Sequence, residues 1–88
     1  MGFYEIRWKG SAERELRKID LQQIPRVIQA IESLVDNPFP SQCRKLRGSE
    51  RDYRIRVGDY RVVYQVDTKT KLVTIYYVRH RREAYRER

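Results

Sequence analysis

The sequence is short of the residues that build disulfides, metal cages and membrane spans. It has one cysteine, Cys43, and one histidine, His80, in 88 residues. Cys43 has no partner for an internal disulfide, and with His80 it falls short of the four ligands of a structural zinc site. So little cysteine fits a reducing compartment, and the cytoplasm is the expected setting. No apolar run approaches the roughly 18 residues of a membrane span. The first residues lack the basic, apolar and small-residue pattern of a signal sequence. Four glycines and three prolines leave no linker or low-complexity tract, and one domain over 1–88 is expected. Carboxylates clustered on one strand face, the mark of metal-assisted cleavage, are also missing. Neither a metal nor another cofactor is expected.

Positive charge is what the chain has in excess, and it is unevenly placed. Residues 1–43 hold six Lys/Arg and six Asp/Glu; residues 44–88 hold fourteen against six, which is the whole net charge of +8. A one-sided field of this kind attracts polyanions and speeds their encounter. Nucleic acid is the leading partner class on charge alone; a solvated basic face is the plainer alternative.

Hydrophobic periodicity predicts an α+β domain. Residues 3–9 alternate, with Tyr4, Ile6 and Trp8 on one face, and predict a strand. Ser11 reads as an N-cap, with Glu13 and Glu15 in the favourable first turn of a helix over 11–19. Ile24, Val27, Ile28, Ile31, Leu34 and Val35 recur at helical spacing. That second helix starts at about 22–24, with Pro25 in its first turn, where its missing N–H costs nothing. Asp36-Asn37-Pro38 stops it. Tyr53, Ile55 and Val57 then oppose Arg54 and Arg56 on a strand, Gly58-Asp59 turns, and Tyr60 to Val66 returns. Leu72 to Val78 predicts a further strand, apolar on both faces as a central strand would be. Arg79 to Arg88 reads as a basic tail with a short helix possible. The order β-α-α-β-β-β predicts a mainly antiparallel sheet of four or five strands, with a two-helix hairpin on one face. By parity Arg54 and Arg56 fall on the other.

RNA can be cut without a metal. A base takes the 2′-OH proton, the oxygen attacks the adjacent phosphorus, cations stabilise the added charge, and an acid protonates the leaving 5′-oxygen. Arg54, Arg56, Arg61 and Arg81 supply guanidinium groups that suit phosphate. His80 titrates near neutrality, and Tyr85 is a candidate to donate a proton or stack on a base.

Four stretches together resemble the RelE branch of the RelE/ParE toxin superfamily. They are Lys45-Leu46-Arg47-Gly48, Tyr53-Arg54-Ile55-Arg56, Tyr60-Arg61-Val62-Val63-Tyr64 and Val78-Arg79-His80-Arg81-Arg82-Glu83-Ala84-Tyr85-Arg86. The order of elements matches over nearly the whole chain. The resemblance implies a toxin that enters the ribosomal A site and cleaves messenger RNA there, held in check by a RelB-like antitoxin. It implies that Arg61 stabilises the phosphate, that Arg81 serves the leaving group or transition state, and that Tyr85 orients or stacks on the substrate. Lys45, Arg47, Arg51, Arg79 and Arg82, all in the basic half of the chain, are expected as further RNA contacts. Arg54 and Arg56 stand where the best-known members carry lysine. Arginine stays protonated, so these two can clamp phosphate but cannot act as bases. His80 is therefore the expected titrating group. Two alternatives stay open: a ParE-like toxin that poisons gyrase, and an RNA-binding domain without catalysis.

Overall fold

The computed structural model describes residues 3–80. A short strand β1 (Glu5–Trp8) leads into helices α1 (Gly10–Lys18) and α2 (Ile24–Glu32), whose last turn tightens to a 3-10 turn at Ser33–Val35. Then come β2 (Arg44–Lys45), β3 (Asp52–Val57), β4 (Tyr60–Asp67) and β5 (Leu72–His80). The α+β class, the two helices and the five-strand sheet are as expected.

Four details differ from the sequence reading. The first helix begins one residue early: Lys9 holds the cap position without a side-chain bond, and Ser11 lies inside the first turn. Its first turn is closed by the Glu13 N–H donating to the Lys9 carbonyl at 3.0 Å. The basic lead-in to the hairpin contributes an edge strand, β2, paired to β3. Arg79 and His80 are not tail residues but the last two of β5. The sheet is mixed, in the order β1-β5-β4-β3-β2, with β1 parallel to β5 and every other pair antiparallel. A parallel partner 67 residues away, as Glu5 is from Leu72, follows from how the whole chain closes, which no local pattern reports. The helical turn or two expected over 81–88 lies outside the described residues.

The core is a single layer between helices and sheet. Ala12, Val27, Ile31 and Leu34 meet Ile55, Val62, Tyr64, Val66, Val73, Ile75 and Val78, all buried. Full burial of a side chain of this kind stabilises by about 1.5–3 kcal/mol. The helix α1 rests mainly on β5, and α2 reaches β3. Tyr64 is the largest of the buried side chains, and its O–H donates to the Pro38 carbonyl at 2.8 Å. Burial, reinforced by the nearby Cys43, pushes its phenol far above the ordinary range. It is a structural tyrosine and holds its proton.

Two turns set the ends of the hairpin. Gly58 adopts φ +61, while Asp59 keeps an ordinary φ, the pattern of a II′ turn between Val57 and Tyr60. At the far end of β4, Asp67 accepts from the N–H groups of Lys69 and Thr70 at 2.9 and 3.1 Å.

Candidate nucleic-acid interface

The pleat divides the side chains of β3 and β4 between two faces. Tyr53, Ile55, Val57, Tyr60, Val62, Tyr64 and Val66 belong to the helix-covered core. Arg54, Arg56, Arg61, Val63 and Gln65 alternate with them and take the opposite face. Val63 is only 3% exposed yet stands apart from the core cluster. Its cover comes from that open face, where Arg54 and Tyr77 are its cross-strand partners.

Register brings three arginines into line. Arg56 is directly opposite Arg61, and Arg61 is directly opposite Arg79 on β5. A second row runs Arg44, Arg54, Val63, Tyr77. Like charges facing one another across strands are destabilising, so the first row costs stability to keep. Arg56 is exposed, and Arg54 and Arg61 are half-buried. The Arg61 Nε is buried and has no hydrogen-bond partner among the described residues. A buried cationic donor left unsatisfied costs about 1–3 kcal/mol, and an anion laid on the row would relieve it. The row is suited to hold a phosphate and to stabilise charge that develops on it.

Arg79 is held differently. Its Nε donates to Glu15 Oε2 at 2.8 Å, and its guanidinium carbon lies 4.2 Å from the centre of the Tyr77 ring. Glu15 also accepts the Val78 N–H at 3.2 Å. This pair joins α1 to the end of β5.

His80 is not brought to the arginines. It is opposite Tyr60, and the two rings meet edge to face with centroids 5.5 Å apart. That places the imidazole on the helix side, lining a cleft of about 200 Å³ with Lys18 and Ile19 and another of about 290 Å³ with Gln23 and Arg26. The residue expected from the sequence to be the titrating group thus stands on the other face of the sheet from Arg61. The cause is a β-bulge: Val63 pairs with Tyr77 but Tyr64 pairs with Ile75, so Tyr76 is left over. One extra residue exchanges the faces of everything after it.

The expected RNA contacts separate as well. Lys45 is opposite Tyr53, on the helix side, and with Arg51 it lines a hollow of about 390 Å³ beside Phe39 and Asp67. Arg51 lies 3.9 Å from Asp67. Arg47 is exposed in the loop between β2 and β3. Arg81, Arg82 and Tyr85 lie outside the described residues. Sequence reading missed Arg44, Tyr77 and Glu15. The parity of β2 would have found Arg44, whose terminal nitrogen is drawn back onto the Ser41 and Cys43 carbonyls. Nothing local marks Glu15, whose partners are 63 and 64 residues away. Among the described residues no three His, Cys, Asp or Glu side chains group as metal ligands would, and no helix is long and apolar enough to cross a membrane.

The model of the family described as ParE toxin of type II toxin-antitoxin system, parDE, matches residues 6–85. The chain belongs to the RelE/ParE family of type II toxins. A Methanocaldococcus jannaschii protein that carries the name toxin RelE1 is 29% identical over 76 residues, 83% of this chain and 84% of its own. Among solved structures, the toxin of the RelE–RelB complex from Pyrococcus horikoshii superposes with a TM-score of 0.80 at 28% identity, covering 92% of this chain and 97% of that one. The toxin of the RelBE2 complex from Mycobacterium tuberculosis gives 0.79 at 26%, covering 89% and 98%. The RelE/ParE resemblance and the α+β fold expected of this type II toxin are therefore established.

Proposed function

We propose that this toxin is a ribosome-dependent endoribonuclease that cuts messenger RNA in the A site. The observation that carries the reading is the row Arg56, Arg61, Arg79 on the open face, with the Arg61 Nε buried and unpartnered. A fold that only had to be stable would not keep three like charges in register. In this reading the 2′-oxygen bonds to the adjacent phosphorus and the bond from phosphorus to the 5′-oxygen breaks. The products are a 2′,3′-cyclic phosphate and a free 5′-hydroxyl. Arg54, Arg56 and Arg61 hold the phosphate, and Arg61 stabilises the added charge at its centre. Arg81 and Tyr85 complete the site: Arg81 at the leaving group, Tyr85 against a base or the transferred proton. Lys45, Arg47, Arg51 and Arg82 contribute long-range attraction to RNA. Because the arginines keep their protons and His80 faces the helices, the 2′-OH proton leaves to water, and the departing 5′-oxygen takes a proton from Tyr85 or water.

A RelB-like antitoxin, as in the solved complexes of the relatives, is the partner that neutralises the toxin, and the cytoplasm is where both act. The test is induced expression. Growth should stop and messages should be cut within reading frames, and Arg61→Ala should greatly weaken both. Intact message on purified ribosomes incubated with the protein would remove the enzyme reading. The family match to ParE favours one rival, a gyrase poison. Relaxed or broken plasmid with intact messages on induction would establish it instead.

A further inference from the structure

Beyond the end of β1, no strand among the described residues pairs with β5 on that side. The last contacts are Trp8 opposite Ile75 and the Lys9 N–H donating to the Ile75 carbonyl at 3.0 Å. The next residue is the bulged Tyr76, whose ring lies under the Lys9 amine at 4.6 Å from its centre. Two residues later the Val78 N–H points out of the open edge, and Glu15 receives it. The same carboxylate takes the Arg79 Nε. The side chains of Glu15 and Arg79 are only 25% and 24% exposed, so the pair is screened much less than a surface ion pair.

The bulge makes this contact decisive for the arginine face. With an unbroken pleat, Ile75 in the core would put Tyr77 and Arg79 in the core as well, and His80 would stand on the open face. With Tyr76 left over, Val78 enters the core and Arg79 joins Arg61. The ladder to β4 and the burial of Val78 hold the residues after the bulge from one side only. Glu15 holds two of them by two different groups.

We propose that Glu15 is a positioning residue, which pins the bulged end of β5 so that Arg79 rather than His80 stands in the phosphate-binding row. The proposal rests on the reading of that row as the RNA site. Removing a carboxylate from a cationic surface would, on charge alone, tighten RNA binding and leave cutting no slower. Pinning gives the opposite sign.

The test uses the full chain as Glu15→Ala, Glu15→Gln, Arg79→Ala and the Glu15→Ala/Arg79→Ala double variant. Single-turnover cutting on programmed ribosomes and exchange of the Val78 amide hydrogen are measured together. Glu15→Ala should slow cutting by about tenfold and speed Val78 exchange by about the same factor. Glu15→Gln keeps the acceptor for Val78 and should recover most of the exchange protection while cutting remains slower than wild type. The double variant should be no slower than Arg79→Ala alone, because Glu15 acts through Arg79. Multiplied effects in the double variant, cutting by Glu15→Ala at the wild-type rate or faster, or unchanged Val78 exchange would each overturn the proposal. If the wild-type chain cuts no message, the functional reading falls, and inorganic pyrophosphate decides the inference. Equal weakening in Glu15→Ala and Arg79→Ala upholds it; weakening in Arg79→Ala alone, or tighter binding in Glu15→Ala, overturns it.

Discussion

The two faces of one sheet follow opposite rules. On the helix-covered face, Val62 stands opposite Ile55 and Val78, all buried in one hydrophobic cluster. One residue away along β4, Arg61 stands opposite Arg56 and Arg79. The backbone hydrogen bonds of the two rows belong to the same ladders, so the difference lies wholly in the side chains. The covered row stabilises the fold by removing apolar area from water. The arginine row opposes it by lateral repulsion and by a buried donor without an acceptor. Stability is produced on one face and spent on the other, which is the usual relation between a scaffold and its site.

The largest effect that separates the faces comes from the core. Tyr64→Ala should destabilise the protein by about 3–5 kcal/mol, read as a lower urea midpoint. Next comes Arg61→Ala. Cutting should fall about 10²–10³-fold, as when one preorganised charge-stabilising donor is removed. Its urea midpoint should stay level or rise, because a like-charge contact is relieved. A midpoint that drops as it does for Tyr64→Ala would mean that Arg61 is a structural residue and would break the comparison. Arg56→Gln should have a smaller effect, since Arg56 is exposed. Binding to a single-stranded RNA with a 2′-deoxy scissile position should weaken, and the slope of log affinity against log salt should fall by about 0.7. An unchanged slope would place the phosphate elsewhere than on this row.

How much of this was legible in the sequence depended on how far each decision reached along the chain. The faces of β3 were legible because Tyr53-Arg54-Ile55-Arg56-Val57 alternates with the period of the pleat, and its partner lies just across a glycine turn. The second helix was legible because Val27, Ile31 and Leu34 recur at its own period, and all three are buried. The direction of β1 was not, because its partner β5 is chosen when the whole meander closes. The face of His80 was lost for the same kind of reason. A run such as Leu72 to Val78, apolar on both sides, carries no mark of where a bulge falls. Tyr76 becomes the extra residue only through its register with β4. One unread residue puts the histidine on the helix side of the sheet and Arg79 beside Arg61. Glu15, which fastens that outcome, reads in the sequence only as a glutamate favourable to its own helix until the fold brings Val78 and Arg79 to it.

The smallest predicted effect sharpens the contrast at the far end of β4. The Thr70 N–H bond, with help from the Lys69 N–H and Arg51, holds the Asp67 carboxyl below its ordinary value of 3.8. A folded-state pKa below the unfolded one contributes stability that is present above the ordinary carboxyl range. It is lost as the pH falls through the folded value. Asp67→Asn keeps an oxygen that can accept both turn N–H groups and removes the charge. The variant should therefore match the wild type in turn geometry but show a flatter loss of stability in acid, read as urea midpoints at falling pH. RNA binding at neutral pH should be nearly unchanged, because Asp67 lies at the opposite end of β4 from Arg61. If Asp67→Asn altered RNA affinity as much as Arg56→Gln does, the anion would be sensing the whole sheet end to end. The site would then be a diffuse basic surface rather than a row of three arginines.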